Sequence, residues 1–351
     1  MDSRQGAVRL AALAGLTRMR LLLLGKIEGI QRWAEDIASD LRIDGHRAVI
    51  FPTRDPRLGK QVERALLSPT LGAPLAGLRA RQMRRMAPDM VLAVGGFDAM
   101  PPVLVQRLAA VPGRPPLVGW IGDIFTKDAA PLANMFDLLV YTDTGMLELH
   151  RRFGFRPPSA YVPLGATRAL TAPPAARAPM LAFVAAASPH RRDVLAGLRA
   201  PVALFGPAWQ QPASGAPDPL AQHPRVGRRV LPAELATIHA GHLGVLNIRN
   251  EQFVLNGLNQ RHFAPYLQAT PVLSDAQPDI ENCFDPASEI IVWRDPDELE
   301  ACYAALRADP ARAAAIGRAG QARVLAHHCY AHRVAAIAAL VDAPYRNGSG
   351  S

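Results

Sequence analysis

Short apolar runs that stop at glycine or aspartate recur along this chain, and helical spacing follows them. Met19 to Leu24 ends at Gly25, Asp89 to Val94 at Gly95-Gly96, Leu117 to Ile121 at Gly122-Asp123, and Leu138 to Tyr141 at Thr142-Asp143. Arg47 to Phe51 and Ala160 to Val162 add two more. Runs that do not alternate with polar residues are buried on both faces, as the strands of a parallel sheet are. Between the first two, Ile30, Trp33, Ile37 and Leu41 stand three and four apart, on one helix face, before Gly45-His46 stops them. Strands separated by helical crossovers predict a parallel, doubly wound sheet.

The pattern then breaks at a Pro-rich stretch, Leu170 to Pro179, and restarts. Leu181 to Val184, Val202 to Phe205, Val226 to Val230, Leu243 to Ile248, Val272-Leu273 and Ile290 to Val292 read as strands. Helices are expected from His190, behind Pro232, over Leu255 to Ala269 with a break at Pro265, and over Pro296–Leu306, Ala311–Ala326 and Ala331–Leu340. A length of 351 residues suits two domains. The expected fold is therefore α/β, with two Rossmann-like doubly wound domains facing across a cleft. The expected divisions are an extension over 1–18, an N-terminal Rossmann-like domain over 19–169, a second Rossmann-like domain over 180–330, a C-terminal helix over 331–343 that packs back across the hinge, and a flexible tail over 344–351. Ligands of open α/β sheets bind at the carboxyl ends of the strands.

Bulk properties narrow the chemistry. The net charge of +9 favours anionic partners, among them nucleoside diphosphates, acidic glycans and anionic membrane surfaces. Nucleic acid is disfavoured, because aromatic residues are only 6% and no basic run interleaves with them. Cys283, Cys302 and Cys329 are odd in number and form no CxxC, which points to a reducing, cytoplasmic setting. No apolar run is long enough to span a bilayer. Leu13 and Leu16 among the early arginines offer at most a peripheral membrane contact. The histidine pairs His239/His242 and His328/His332 lack the cysteine or carboxylate company of a zinc site, so no metal is expected.

A series of short motifs resembles the CgeB-type, or spore-maturation-protein-like, glycosyltransferases. The series is Phe183-Val184 with Ser188-Pro189-His190-Arg191-Arg192, Phe205-Gly206-Pro207-Ala208-Trp209, Leu246-Asn247-Ile248, Asn259-Gln260-Arg261-His262-Phe263, Leu273-Ser274-Asp275, Phe284 with Glu289-Ile290-Ile291, and His328-Cys329-Tyr330 with Arg333. In the first half, Trp120-Ile121-Gly122-Asp123 and Tyr161-Val162-Pro163-Leu164-Gly165 carry weaker marks of it. The resemblance implies a GT-B fold, with the acceptor domain over 19–169 and the nucleotide-sugar donor domain over 180–330, and transfer of a sugar from a nucleoside diphosphate, UDP by preference, to a hydroxyl or other nucleophile of a glycan, protein or small molecule. The nucleotide-sugar would be a co-substrate, with no cofactor. Three positions depart from the family pattern. Ala264 stands where a glutamate follows the arginine, Asn256 where related retaining enzymes carry the first of two glutamates, and Gln268-Ala269 where a Cys-Gly precedes the next strand. They leave open a second reading, a catalytically silent binder of nucleotide or glycan.

Transfer requires stabilisation of the departing diphosphate, and helix N-termini or cations do this without metal. Ser188, His190 and Arg191 open a helix behind a strand and suit that task; the alternative is a solvated basic helix start. Arg261 can grip phosphate with its fork, or pair internally with Asp275 or Glu281. Asn247, Asn259, Phe263 and Asp275 complete the expected donor-binding set, although asparagines also cap and turn. Gly25, Lys26 and Glu28 form a first loop that lets a ligand near the backbone; it matches neither a dinucleotide fingerprint nor a Walker loop. Asp123, at a strand end, is the expected base for an acceptor hydroxyl, with helix capping as its alternative.

Overall fold

The computed structural model describes residues 18–27, 32–54, 68, 70–173, 175–209 and 217–346. They divide into two compact units: the residues up to Ala169 together with those from Tyr330 onward, and Leu170–Cys329.

In the first unit, six parallel strands lie in the order β2-β1-β3-β4-β5-β6. They are β1 (Arg20–Lys26), β2 (Arg47–Arg54), β3 (Met90–Gly95), β4 (Leu117–Ile121), β5 (Leu138–Tyr141) and β6 (Ser159–Tyr161). The apolar runs fall on them as expected. Leu22, Leu24, Val91, Ala93, Ile121 and Leu139 meet the crossover helices in one core cluster. The order reverses between β1 and β3, which makes that gap the switch point of the sheet. Helix ends follow local chemistry. The Asp143 carboxylate accepts from Gly145 N at 2.7 Å to start Thr144–Phe153, and Gly154, at φ +65°, stops it.

A buried carboxylate ties distant pieces of this unit together. Asp40, on helix Trp33–Ile43, has no exposed surface. Its Oδ1 accepts from Arg168 N at 2.8 Å and Arg168 Nε at 2.9 Å, and its Oδ2 accepts from Ala331 N at 2.8 Å. Arg168 also reaches Asp44 at 2.6 Å, and these bonds to Asp44 and Asp40 push the guanidinium up from its ordinary value despite its burial. The C-terminal helix is Tyr330–Arg346, longer at both ends than the apolar spacing suggests, and it belongs to the first unit. Val334 and Ile337 are buried and Val341, one helical turn on, is half-buried.

The second unit has its own six parallel strands, ordered β12-β11-β10-β7-β8-β9. They are β7 (Ala178–Val184), β8 (Val202–Phe205), β9 (Arg225–Val226), β10 (His242–Asn247), β11 (Val272–Asp275) and β12 (Ile291–Trp293). In sequence rank this is the doubly wound dinucleotide order, and its switch point lies between β7 and β10. Two expectations need correction. The strand over Val226 to Val230 reduces to Arg225–Val226, an edge strand with no neighbour beyond it to prolong pairing. The helix expected over Leu255 to Ala269 does not form. Gln260–His262 and Ala264–Gln268 are separate 3-10 turns, because Gly257 and Pro265 break the helical ladder and Asn259 caps a new start.

Gln268 and Ala269, two of the departing positions, have structural work here. Gln268 Nε2 donates to Leu170 O at 2.8 Å and its Oε1 accepts from Ala172 N at 3.0 Å, so the side chain holds the start of the Pro-rich stretch. Ala269 sits at φ +49°, the left-handed region that a glycine would enter without strain. Helix Pro310–Arg323 crosses this turn closely. A Cβ on Gly317 would meet Ala269 O at 2.0 Å, and one on Gly320 would meet the Tyr266 ring at 2.2 Å.

Candidate functional site

The switch point of the second unit is built by backbone contacts that sequence motifs encode. Gly206, at φ +130°, brings β8's end so near β7's that a Cβ there would stand 2.3 Å from Ala185 O. Trp209 is buried and its Nε1 donates to the same oxygen at 2.7 Å. The loop after β7 is thereby fixed. Ser188 then caps helix Pro189–Ala196, its Oγ accepting from Arg191 N at 3.4 Å, with Pro189 at the first helical position.

Arg191 spans the switch point. Its Nε and Nη2 donate to Ile248 O behind β10, at 3.1 and 3.0 Å, and its Nη1 to Ala186 O behind β7, at 2.9 Å. The side chain is 3% exposed, which corrects its expected role as a direct phosphate ligand: it supports the loops and contributes charge. Burial pushes the guanidinium down to about 10, still cationic at neutral pH.

Arg261 lies on the turn Gln260–His262, not at a helix start. Asn259 Oδ1 accepts from its backbone N at 2.9 Å. Its Nε donates to Asn247 Oδ1 at 3.0 Å, and its Nη1 and Nη2 find no acceptor among the described residues. The expected alternative, an ion pair with Asp275 or Glu281, does not form; the ion pair of Asp275 is with Arg249, at 3.7 Å. Burial, and then the neighbouring charge of Arg191, push Arg261 down to about 9. Two cations thus stand near one another among mostly uncharged groups. Asp275 is the carboxylate that acts on both.

The remaining donor-set residues fall into two kinds. Asn247 and Phe263 have no exposed surface, so neither can touch a ligand in this conformation. Phe263 packs on Phe284 and His328 with ring centroids 5.4 and 5.5 Å away. Asn259 is a cap, its Nδ2 donating to Asn247 Oδ1 at 3.3 Å. Asp275 accepts from Arg249 N at 3.2 Å and Gln277 Nε2 at 3.0 Å, and burial pushes its carboxyl up. His190 is half-exposed, with Nε2 3.9 Å from Glu251. Sequence reasoning missed Arg249 and His262. Arg249 directly follows the Leu246-Asn247-Ile248 strand end, and His262 lay inside the motif read for Arg261.

At the carboxyl edge of the first unit the chemistry is different. A Cβ on Gly25 would stand 2.7 Å from Ala34 Cβ and 2.9 Å from Val94 Cγ2, so this glycine lets a helix and a strand close on β1 rather than admitting a ligand. Lys26 is half-buried at the end of β1, and Glu28 lies outside the described residues. Gly122 leaves room for the Trp33 ring, 2.2 Å from where its Cβ would be. Asp123 is 9% exposed, and the next helical turn begins only at Lys127, with Thr126 as its N-cap. Its Oδ2 and Asp98 Oδ1 lie 2.8 and 2.6 Å from the Cβ that Gly96 lacks, so the two carboxylates are neighbours over a bare backbone. Among the described residues no group of three histidine, cysteine or carboxylate side chains could hold a metal ion, and no helix is long and apolar enough to cross a membrane.

Residues 177–339 match the family model described as glycosyl transferase-like. This matching stretch takes in most of the second unit and the first turns of the C-terminal helix. Among solved structures, the sucrose-phosphate synthase of Thermosynechococcus elongatus aligns with a TM-score of 0.64 at 11% identity, over 94% of this chain and 100% of that one. HepE of Anabaena, solved in complex with UDP and glucose, aligns at 0.65 and 17% identity, over 93% and 100%. A glycosyltransferase of Rickettsia africae aligns at 0.63 and 10% identity, over 95% and 100%. The fold is that of the GT-B glycosyltransferases. No curated protein sequence matches the chain. In this chain, Arg191 and Arg261 meet at the carboxyl edge of the second unit's sheet.

Proposed function

We propose that this chain is a metal-independent glycosyltransferase that moves a hexosyl group from a nucleoside-diphosphate sugar, UDP-sugar by preference, to a hydroxyl or other nucleophile of a glycan, protein or small molecule. The observation that carries the reading is Arg261. Its Nε is anchored by an uncharged amide, its Nη groups are left without an acceptor among the described residues, and Arg191 adds a second cation. As the bond from the anomeric carbon to the diphosphate oxygen breaks, charge grows on that oxygen, and a preoriented guanidinium lowers the barrier. The glycosyl transferase-like match over residues 177–339 and the complexes of HepE with UDP and UDP-glucose support the same reading. Asp123 is the group we assign to take the acceptor's proton. The three cysteines are free, in keeping with work in the cytoplasm.

Ala264 and Asn256 favour a second reading, a silent binder. A donor-hydrolysis assay over a panel of nucleotide-sugars, with and without EDTA, separates the two. Turnover of a UDP-sugar that survives EDTA is expected. Tight UDP binding without turnover of any donor supports the silent binder, and activity lost to EDTA and restored by Mn²⁺ or Mg²⁺ contradicts metal independence.

A further inference from the structure

We propose that Asn247 and His262 are a positioning pair: they touch no ligand and instead aim the Arg261 guanidinium at the donor's phosphates, an inference that rests on the donor reading above. Asn247 ends β10 with no exposed surface, and His262 is equally buried on the turn that carries Arg261. The Asn247 carbonyl oxygen accepts from Arg261 Nε at 3.0 Å and from Asn259 Nδ2 at 3.3 Å. An arginine N–H can only donate, so the amide has one orientation and its Nδ2 must face the other way. There it donates to His262 Nδ1 at 3.1 Å. On the other side of the ring Nε2–H donates to Ser274 Oγ at 2.9 Å, and Ser274 Oγ donates to Asp275 O at 2.9 Å. A continuous line of hydrogen bonds therefore joins the backbone of β11 to the guanidinium of Arg261.

Every link in that line is uncharged. Burial, with Arg261's charge adding to it, pushes the His262 ring down to about 3, so it is neutral at physiological pH. A carboxylate at 247 would hold Nε just as firmly, but it would also cancel the charge that an anion needs. A neutral amide fixes direction and leaves the charge available. A buried polar network of this kind is costly unless fully satisfied, and here it orients one side chain at the switch point.

The test is calorimetric titration of the full chain with UDP and with uridine, whose difference isolates the phosphates. Asn247→Asp keeps the shape and adds a neutralising charge. UDP affinity should fall ~10-fold or more while uridine affinity holds, because one charge-assisted contact to the diphosphate is lost. In an Arg261→Ala background, Asn247→Asp should have no further effect on the UDP-to-uridine ratio, since the residue acts only through Arg261. Should Asn247→Asp fail to fold, Asn259→Ala, which removes a half-buried cap, should lower the ratio in the same direction by less. Equal losses for UDP and uridine, an unchanged ratio, or a full effect in the Arg261→Ala background would overturn the positioning role. A wild-type chain that shows no preference for UDP over uridine removes the donor reading itself.

Discussion

The two six-stranded sheets are alike in their strands and opposite in what their carboxyl edges carry. In the first unit, Gly25 and Gly122 let Ala34, Val94 and Trp33 close on the edge, and Gly96 leaves bare backbone beneath Asp98 and Asp123. In the second, Arg191, Arg249 and Arg261 crowd the edge, braced by Asn247 and His262. Both sheets reverse their strand order where these residues gather, between β1 and β3 and between β7 and β10. The shared topology creates an edge suited to ligands, and the one or two residues after each strand decide whether it is acidic or cationic.

The sharpest way to break the comparison is to remove a charge from each unit. Asp40→Ala should destabilise the first unit by about 2–4 kcal/mol, because it leaves the backbone N–H groups of Arg168 and Ala331 without their acceptor, while the Arg168 guanidinium keeps only Asp44. The midpoint of denaturant unfolding reads this directly. Arg261→Ala should do the reverse. The fold should persist, while kcat/KM falls by roughly ten- to a thousandfold, mostly in kcat. Arg261→Lys should recover only part, since a point charge lacks the fork. A loss of stability with full activity in the folded fraction would make Arg261 structural, like Arg168.

Acid should separate the units next. His239 and His262, both in the second unit, are pushed down to about 3, mainly by burial. The unfolded chain takes up protons on them below pH 6.5 while the folded chain does not. Their stability is fully present above that pH and is lost as pH falls toward 3, by up to about 1.4 kcal/mol per pH unit for each ring. His239 Nε2 is buried without a partner, so His239→Asn should flatten the acid limb of a melting-temperature profile. An unchanged limb would place the acid sensitivity elsewhere. The smallest effect is expected at Ala269. Ala269→Gly removes a left-handed alanine and should stabilise by about 1 kcal/mol, provided that relief exceeds the added freedom of the unfolded chain. Thermal unfolding checks it, and destabilisation would show that the turn is unstrained.

The strands of both units were legible because runs such as Leu21–Leu24 and Leu138–Tyr141 are buried on both faces and leave no other reading. The stretch from Leu255 to Ala269 was not, because its apolar spacing mimics a helix while Gly257 and Pro265 prevent one. Arg261 was found from its motif, yet its support was misassigned. A polar residue at a strand end points either out to a ligand or in to a network, and only burial separates the two; Asn247 proved to be of the second kind. The Asp40 latch left no sequence signal, since its partners Arg168 and Ala331 are far away along the chain and pairing at such range follows from the fold.

The central claim is that the cationic edge of the second unit receives the diphosphate. Hydrogen–deuterium exchange of the full chain with and without UDP tests it most directly. The account predicts slowed exchange over residues 185–192 and 249–263, with residues 95–98 and 122–123 unchanged by UDP alone. Protection confined to residues 95–98 and 122–123, with the arginine-bearing loops unaffected, would contradict it.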